Sequence, residues 1–422
     1  MNVRTGRGRA GAAAAALALT AVLAGCGTGS AEETGTGTGG LKGEPIKLGS
    51  ILTITNPAWS NGSVKTVNDA WASYINEELG GIDGRPVIVE SCDDHGDPAK
   101  TSQCLNNLID SGVVALVNNS SLSFGANALP AMEKAGLAGI GGWPVTSDEY
   151  HSEHNFPTTP GAAGSYPSLA VHFAATGKKK LAVAYTNTPS GQAVGKQLKK
   201  QWTDLGGTGY SMVEFDAAAT DFTPILSKIA QAEPDAVILA VGEGPAPRMF
   251  QAAELVGIDA QIGVSATAAT KKVFDAAGDA ANGVLYAFAS VPSDYKSEDA
   301  DTYRSVLGKH APDMELTNQT AVAASSMQYA YDVLASVKGD ITKESVLKKL
   351  QEGAPWDGFL THATAPENAP ESMPSVSNPY ALIAEYDNGS FTPVPIENPG
   401  GLEQYIDAEG GLSWVAGAPP KS

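Results

Sequence analysis

Positive charge is scarce in this chain. Its 422 residues include 27 lysines and arginines against 46 aspartates and glutamates, a formal charge of −19 at pH 7. So acidic a surface repels a phosphate backbone, which excludes DNA and RNA as partners. Histidine is sparse as well, with six in all, and His151 and His154 stand in the polar stretch EYHSEHNF without the glutamate arrangement of a zinc protease. No Gly-x-Ser-x-Gly elbow and no phosphate loop ending in Gly-Lys-Ser/Thr occurs, so two common kinds of enzyme signature are missing. Only roughly residues 10–25 are continuously apolar, too short and alanine-rich a run to span a bilayer core of about 30 Å. With 42% apolar and 17% charged residues, the rest has the composition of two or three soluble domains.

The N-terminus reads as an address. Arg4, Arg7 and Arg9 precede GAAAAALALTAVLAGC, giving the charged region, apolar core and small-residue cleavage site of a secretory signal. Its end, Leu23-Ala24-Gly25-Cys26, resembles the bacterial lipobox, in which the cysteine is acylated and the peptide before it removed. The resemblance implies residues 1–25 as a lipoprotein signal peptide, lipidation of Cys26, and anchoring on the extracytoplasmic face of the cell membrane. Two or three acyl chains hold a protein far more firmly than one. The competing reading is an ordinary secretory peptide with an incidental cysteine. Residues 26–43, rich in glycine and threonine, form a flexible tether. Within it, Gly35 to Gly40 match the spacing of a dinucleotide fingerprint, but no strand precedes them and no helix follows, so they are low complexity.

From Ile46 onward, short β-branched runs alternate with amphipathic stretches, the pattern of parallel sheets with crossover helices. One series runs from IKLGSILTI to LAGIGGW and a second, similar one from PSLAVHFAATG to KKVFDAAGDAAN. In residues 62–79 the positions Val64, Val67, Ala70, Trp71, Tyr74, Ile75 and Leu79 recur on one helical face, and Gly80-Gly81 end it. Its aromatic residues are therefore expected in the core. A boundary falls near 157–161, more helices occupy 290–378, and a hairpin is expected around Asp387-Asn388-Gly389.

Cys92 and Cys104 lie twelve residues apart, one ending a strand and the other in the following helix. In an exported protein they are expected to form a disulfide. The alternative is a metal site using Cys92, Asp93, Asp94, His95 and Asp97, although Asp97 before Pro98 has the form of a helix cap.

The segments AWASYINEELGGIDGRPVIVESCDDHGDPAKT, GVVALVNNSS, KKLAVAYTNTPSGQAVGKQL and ATDFTPILSKIAQAEPDAVILAVG, in this order, resemble the branched-chain-amino-acid-type solute-binding proteins of ABC importers. The similarity covers about residues 44–340, and ELGGIDGRPV followed by DD and DP is its most specific part. It implies a type I periplasmic-binding clamshell: α/β, two doubly wound parallel-sheet lobes joined by three hinge crossovers. Lobe 1 would comprise 44–157 plus 291–360 and lobe 2 161–288 plus 361–422, with hinges at 157–161, 288–292 and 361–378. It further implies a non-enzymatic monomer without cofactor, whose partners are a small-molecule solute and the ABC permease and ATPase subunits. A surface-tethered ligand sensor with the same clamshell is the alternative, and a hydrolase on a doubly wound fold a third.

Ligands of such folds bind beyond the carboxyl ends of the strands. The candidate contacts are therefore loop residues. In lobe 1 they are Asn56 and Trp59, then Ser120, Ser121, Ser123 and Phe124, then Trp143. The serine loop opens a helix whose free amides suit an anionic group, or else its serines are simple caps. In lobe 2 they are Thr188 and Ser190, then Glu243, then Ser265 and Thr267. Glu243 is the one acid among them and suits a ligand ammonium, or else is a solvated loop residue. The family's amino-acid binders carry an acid in the loop placed at 265–267 and tyrosines in the other lobe-2 loops. Here VSATAAT, TNTPSG and VGEGPAP lack both, which argues against leucine, isoleucine or valine and for another small organic solute, amino-acid-like or amide-like.

Overall fold

The computed structural model describes residues 40–420 except 57–59, 122, 217–218 and 410. The expected signal peptide, Cys26 and most of the expected tether lie outside the described residues. The first series forms β1 (Ile46–Leu52), α1 (Gly62–Glu77), β2 (Val87–Asp93), α2 (Pro98–Ser111), β3 (Ala115–Val117), the short helices α3 (Phe124–Asn127) and α4 (Leu129–Lys134), β4 (Gly139–Ile140), α5 (Ser147–His151) and β5 (Asn155–Phe156). Its strands pair in the order β2-β1-β3-β4-β5, all parallel.

The second series forms α6 (Ala162–Ala175), β6 (Lys180–Thr186), α7 (Pro189–Asp204), β7 (Gly209–Phe215), α8 (Thr223–Gln231), β8 (Ala236–Ala240), α9 (Ala246–Val256), β9 (Gln261–Ser265), α10 (Lys271–Ala277) and β10 (Leu285–Phe288). The chain then passes through α11 (Glu298–His310), α12 (Asn318–Ser336) and α13 (Lys343–Gln351), which return to the first sheet. It ends in β11 (Tyr380–Asp387), β12 (Ser390–Pro393), β13 (Ile406–Glu409) and β14 (Leu412–Ala416). The second sheet is parallel across β7-β6-β8-β9-β10 and antiparallel from β11 outward, so it is mixed rather than wholly parallel. β11 is antiparallel to β10 because the chain leaves the sheet after Phe288 and re-enters it beside that same strand end, Leu382 pairing with Phe288. β12 then folds back on β11 through the two-residue turn Asn388-Gly389, with φ of 47° and 92°, the conformation that Asn-Gly favours.

Two α/β lobes result, and the chain crosses between them three times, at 157–161, after β10, and before β11. The last crossover rests on the first lobe: Met373 and Val376 pack on Tyr150, and the Ser375 amide donates to the Tyr150 carbonyl at 3.1 Å. Beyond it, Asn378 donates to the carbonyls of Thr158 at 2.9 Å and His362 at 3.0 Å, tying two crossovers together.

The apolar face of α1 lies in the core from Val64 to Ile75, with Val67, Trp71 and Ala72 fully buried and Trp71 edge-on to Phe359 at 5.4 Å. Truncating so buried a tryptophan would cost about 3–5 kcal/mol. Tyr74, however, is only half-buried, and Leu79, expected on the same face, follows the helix end at Glu77 and is 36% exposed. Cys92 and Cys104 form a disulfide with Cα atoms 5.7 Å apart, so those sulfurs are not metal ligands. Asp97 caps α2 by accepting the amides of Ala99 at 2.8 Å and Lys100 at 3.1 Å.

Candidate functional site

The carboxyl ends of β1, β3 and β4 face those of β8 and β9 across a cavity of about 960 Å³. Strand ends converge there because parallel strands all point their carboxyl ends to one edge of the sheet. Five of the residues singled out from the sequence line it: Asn56, Ser120 and Trp143 on the first lobe, Glu243 and Thr267 on the second.

Asn56 is held by donating to the His95 carbonyl at 3.0 Å. That loop is organised by Asp93, which accepts the amides of Ile54 at 2.9 Å and His95 at 2.9 Å and the hydroxyl of Thr55. Burial opposes ionisation of Asp93, but the Thr55 hydroxyl and the two amides outweigh it and hold the carboxyl at about 2. Behind it Asp94, fully buried, accepts the hydroxyls of Thr53, Thr101 and Ser121 and the amide of Gly96. One carboxylate therefore ties together the loops after β1, β2 and β3.

Several expected contacts are placed elsewhere. Ser121 turns its hydroxyl inward to Asp94, and this hydroxyl in turn accepts the Ser123 amide at 3.1 Å. Ser123 is buried, its carbonyl accepting the Asn127 amide at 3.0 Å at the start of α3. Phe124 is 1% exposed among Cys104, Leu108 and Leu129, a core residue because the turn before α3 points it under the sheet. Thr188 accepts the Gly191 amide as the cap of α7, away from the cavity wall. Ser265 is buried and accepts the Thr267 amide at 3.4 Å. Trp59 and the Ser190 side chain lie outside what the structure describes.

Glu243 is not a lone acid. Lys272 approaches it at 3.3 Å and the Thr270 hydroxyl donates to it at 3.4 Å. A second carboxylate, Glu315, faces the same side and accepts the Lys271 amide, so it reaches from the α11–α12 loop to the second lobe.

Sequence reading missed one wall completely. Thr317, Asn318, Gln319, Val322 and Ala323, at the start of α12, line the cavity together with Ser63 and Val64 of α1. Asn61 and Ser63 both bond the Gln319 side chain, which joins the two helix starts. The visible signal in Thr317-Asn318-Gln319-Thr320 is a helix cap, and nothing local marks it as facing a cleft. Asn118 was missed too, although it adjoins the serine loop. It lies in the left-handed region at φ 54° and lines the cavity.

The periplasmic binding protein family matches residues 45–373. The chain belongs to this family. Its members are substrate-binding proteins and not enzymes, and they work outside the cytoplasm. The Leu/Ile/Val-binding protein homolog 1 of Brucella abortus (strain 2308) is 23% identical over 325 residues, 75% of this chain and 82% of that protein. In fold the periplasmic binding protein described here is similar to a leucine-binding protein of Thermotoga maritima MSB8, with a TM-score of 0.67 and 15% identity, covering 83% of this chain and 98% of that one. It is also similar to the solute-binding protein of an ABC transporter from R. palustris in complex with 4-hydroxybenzoate, with a TM-score of 0.65 and 17% identity, covering 88% and 95%. Such relatives bind small molecules, which implies permease partners for the family. Among the described residues no helix is long and apolar enough to cross a membrane.

Proposed function

We propose that the protein is a lipid-anchored, extracytoplasmic solute-binding protein of an ABC importer, capturing a small organic solute, amino-acid-like or amide-like, between its lobes and delivering it to a membrane permease. The observation that carries this reading is the cavity of about 960 Å³ walled by strand-end loops of both sheets and the start of α12, a volume suited to a small ligand. In this reading 44–157 with 291–360 form one lobe and 161–288 with 361–422 the other, with the stretch 361–378 acting as a hinge. Asn56, Ser120, Trp143, Glu243 and Thr267 contact the solute, joined by Asn118, Asn318 and Gln319. Anchoring is supported by the lipobox-like Leu23-Ala24-Gly25-Cys26 and the glycine-rich tether behind it.

Thermal-shift melting against amino acids, amides, polyamines, sugars and aromatic acids tests the reading. A ligand that binds only the folded state at a hundredfold excess over its Kd adds about 2.7 kcal/mol. A shift confined to one chemical class is expected; a folded protein that responds to no class would overturn the assignment.

A further inference from the structure

Several polar side chains of the cavity wall bond to their neighbours. Ser60 donates to the Ile54 carbonyl at 2.6 Å, Ser63 donates to the oxygen of Gln319 at 2.8 Å, and the nitrogen of Gln319 donates to Asn61. Three residues at least nine-tenths buried are engaged on one side only. Asn118, 1% exposed, donates from Nδ2 to Asn68 Oδ1 at 2.8 Å and to the Ala323 carbonyl at 2.9 Å. Both its hydrogens are used, and Oδ1 has no partner among the described residues. Asn318, 5% exposed, accepts at Oδ1 the Ala289 amide at 2.9 Å and the Ser290 hydroxyl at 3.3 Å, and its Nδ2 hydrogens have no partner among the described residues. Ser120, 3% exposed, engages its carbonyl with Asn61 and Thr53, but its hydroxyl has no partner among the described residues. All three line the cavity.

Neither asparagine amide can be reversed. A carbonyl only accepts and a backbone amide only donates, so Ala323 fixes the nitrogen of Asn118 and Ala289 fixes the oxygen of Asn318. The left-handed φ of 54° at Asn118 is an uncommon conformation that its surroundings impose. The first-lobe pole of the cleft therefore holds an acceptor that cannot donate, a donor that cannot accept, and a hydroxyl that does either.

We propose that this pole selects an uncharged carboxamide or ureido group over a carboxylate, with Asn118 and Asn318 as the specificity-determining residues; the proposal rests on the solute-binding reading above. A carboxamide gives an N–H to Asn118 and a C=O to Asn318 or Ser120. A carboxylate offers acceptors only, so it can satisfy Asn318 but sets an anionic oxygen against the lone pairs of Asn118. A site whose buried polar groups go unpaired rejects the ligand that leaves them so.

Isothermal titration of the full chain with the matched pairs acetamide and acetate, benzamide and benzoate, and nicotinamide and nicotinate, with urea and glucose alongside, tests this. The carboxamide is expected to bind at least tenfold more tightly than its carboxylate in at least one pair. Asn318→Asp keeps the acceptor for Ala289 and Ser290 but, ionised, loses the donor, so carboxamide affinity should fall at least tenfold while the free variant still melts cooperatively. If that variant does not fold, Ser120→Ala, which removes a hydroxyl that either ligand can use, is expected to weaken carboxamide and carboxylate alike and to leave their ratio at tenfold or more, since Asn118 and Asn318 set it. A ratio that collapses to one would overturn the inference. Equal or tighter binding of the carboxylates, binding confined to glucose, or an unchanged Asn318→Asp affinity would overturn the inference. A solute of another class that binds while every amide fails would overturn it and leave the solute-binding reading standing; failure of every class would remove both.

Discussion

Thr53 donates its hydroxyl to the buried carboxylate of Asp94 at 2.7 Å, joining the end of β1 to the turn after β2. Because Asp94 also accepts from Gly96, Thr101 and Ser121, removing it strands several donors in a dry interior, where each costs about 1–3 kcal/mol. Asp94→Ala should therefore lower unfolding stability by at least about 3 kcal/mol in urea titrations. A loss below about 1 kcal/mol would show that the network is dispensable.

His172 gives the fold a pH dependence of definite sign. Burial, reinforced by the charge of Lys178, lowers its pKa to about 4, and its Nδ1 has no hydrogen-bond partner among the described residues. The unfolded chain takes up this proton near the ordinary value of about 6.5, before the folded one does. Stability should thus fall as pH drops from about 6.5 to 4, by about 3 kcal/mol from this residue, and level off below. Urea melts of the native chain and His172→Gln across that range check it: the variant should lack this part of the decline.

Solute that touches both lobes favours the closed arrangement in proportion to its differential affinity for it. The radius of gyration measured by X-ray scattering should decrease when a binding solute saturates the protein. Superimposable curves with and without such a solute would argue against a clamshell motion.

Cys26→Ser removes the thiol that lipidation requires. The variant is expected to leave the membrane fraction, either released or unprocessed. Recovery of the variant with membranes at the native level would refute acylation as the anchor.

Much of the fold was legible because it rests on local regularities. The one-faced spacing of Val64, Val67 and Trp71, the Asp97-Pro98 start of α2 and the Asn388-Gly389 turn are each decided within a few residues of chain. The mixed character of the second sheet was not legible, because strand direction depends on which edge the last strands reach. Within the site, the loops were found but the side chains only in part. Ser120 and Ser121 are adjacent and chemically alike, yet one faces the cavity and the other bonds Asp94. Nothing in the sequence orders them.

The amino-acid sequence by itself determined the acidic charge, the alternation of strands and helices, and the pairing of Cys92 with Cys104. These follow from composition, periodicity and short-range geometry. Tertiary structure alone decided that α12 would supply a wall of the cleft through Asn318 and Gln319, the latter bonding Asn61 258 residues before it, and that Asn118 would present an acceptor there while Asn318 presents a donor. A hydrogen bond has direction, and which end of an amide is left for a ligand depends on the neighbour that takes the other end.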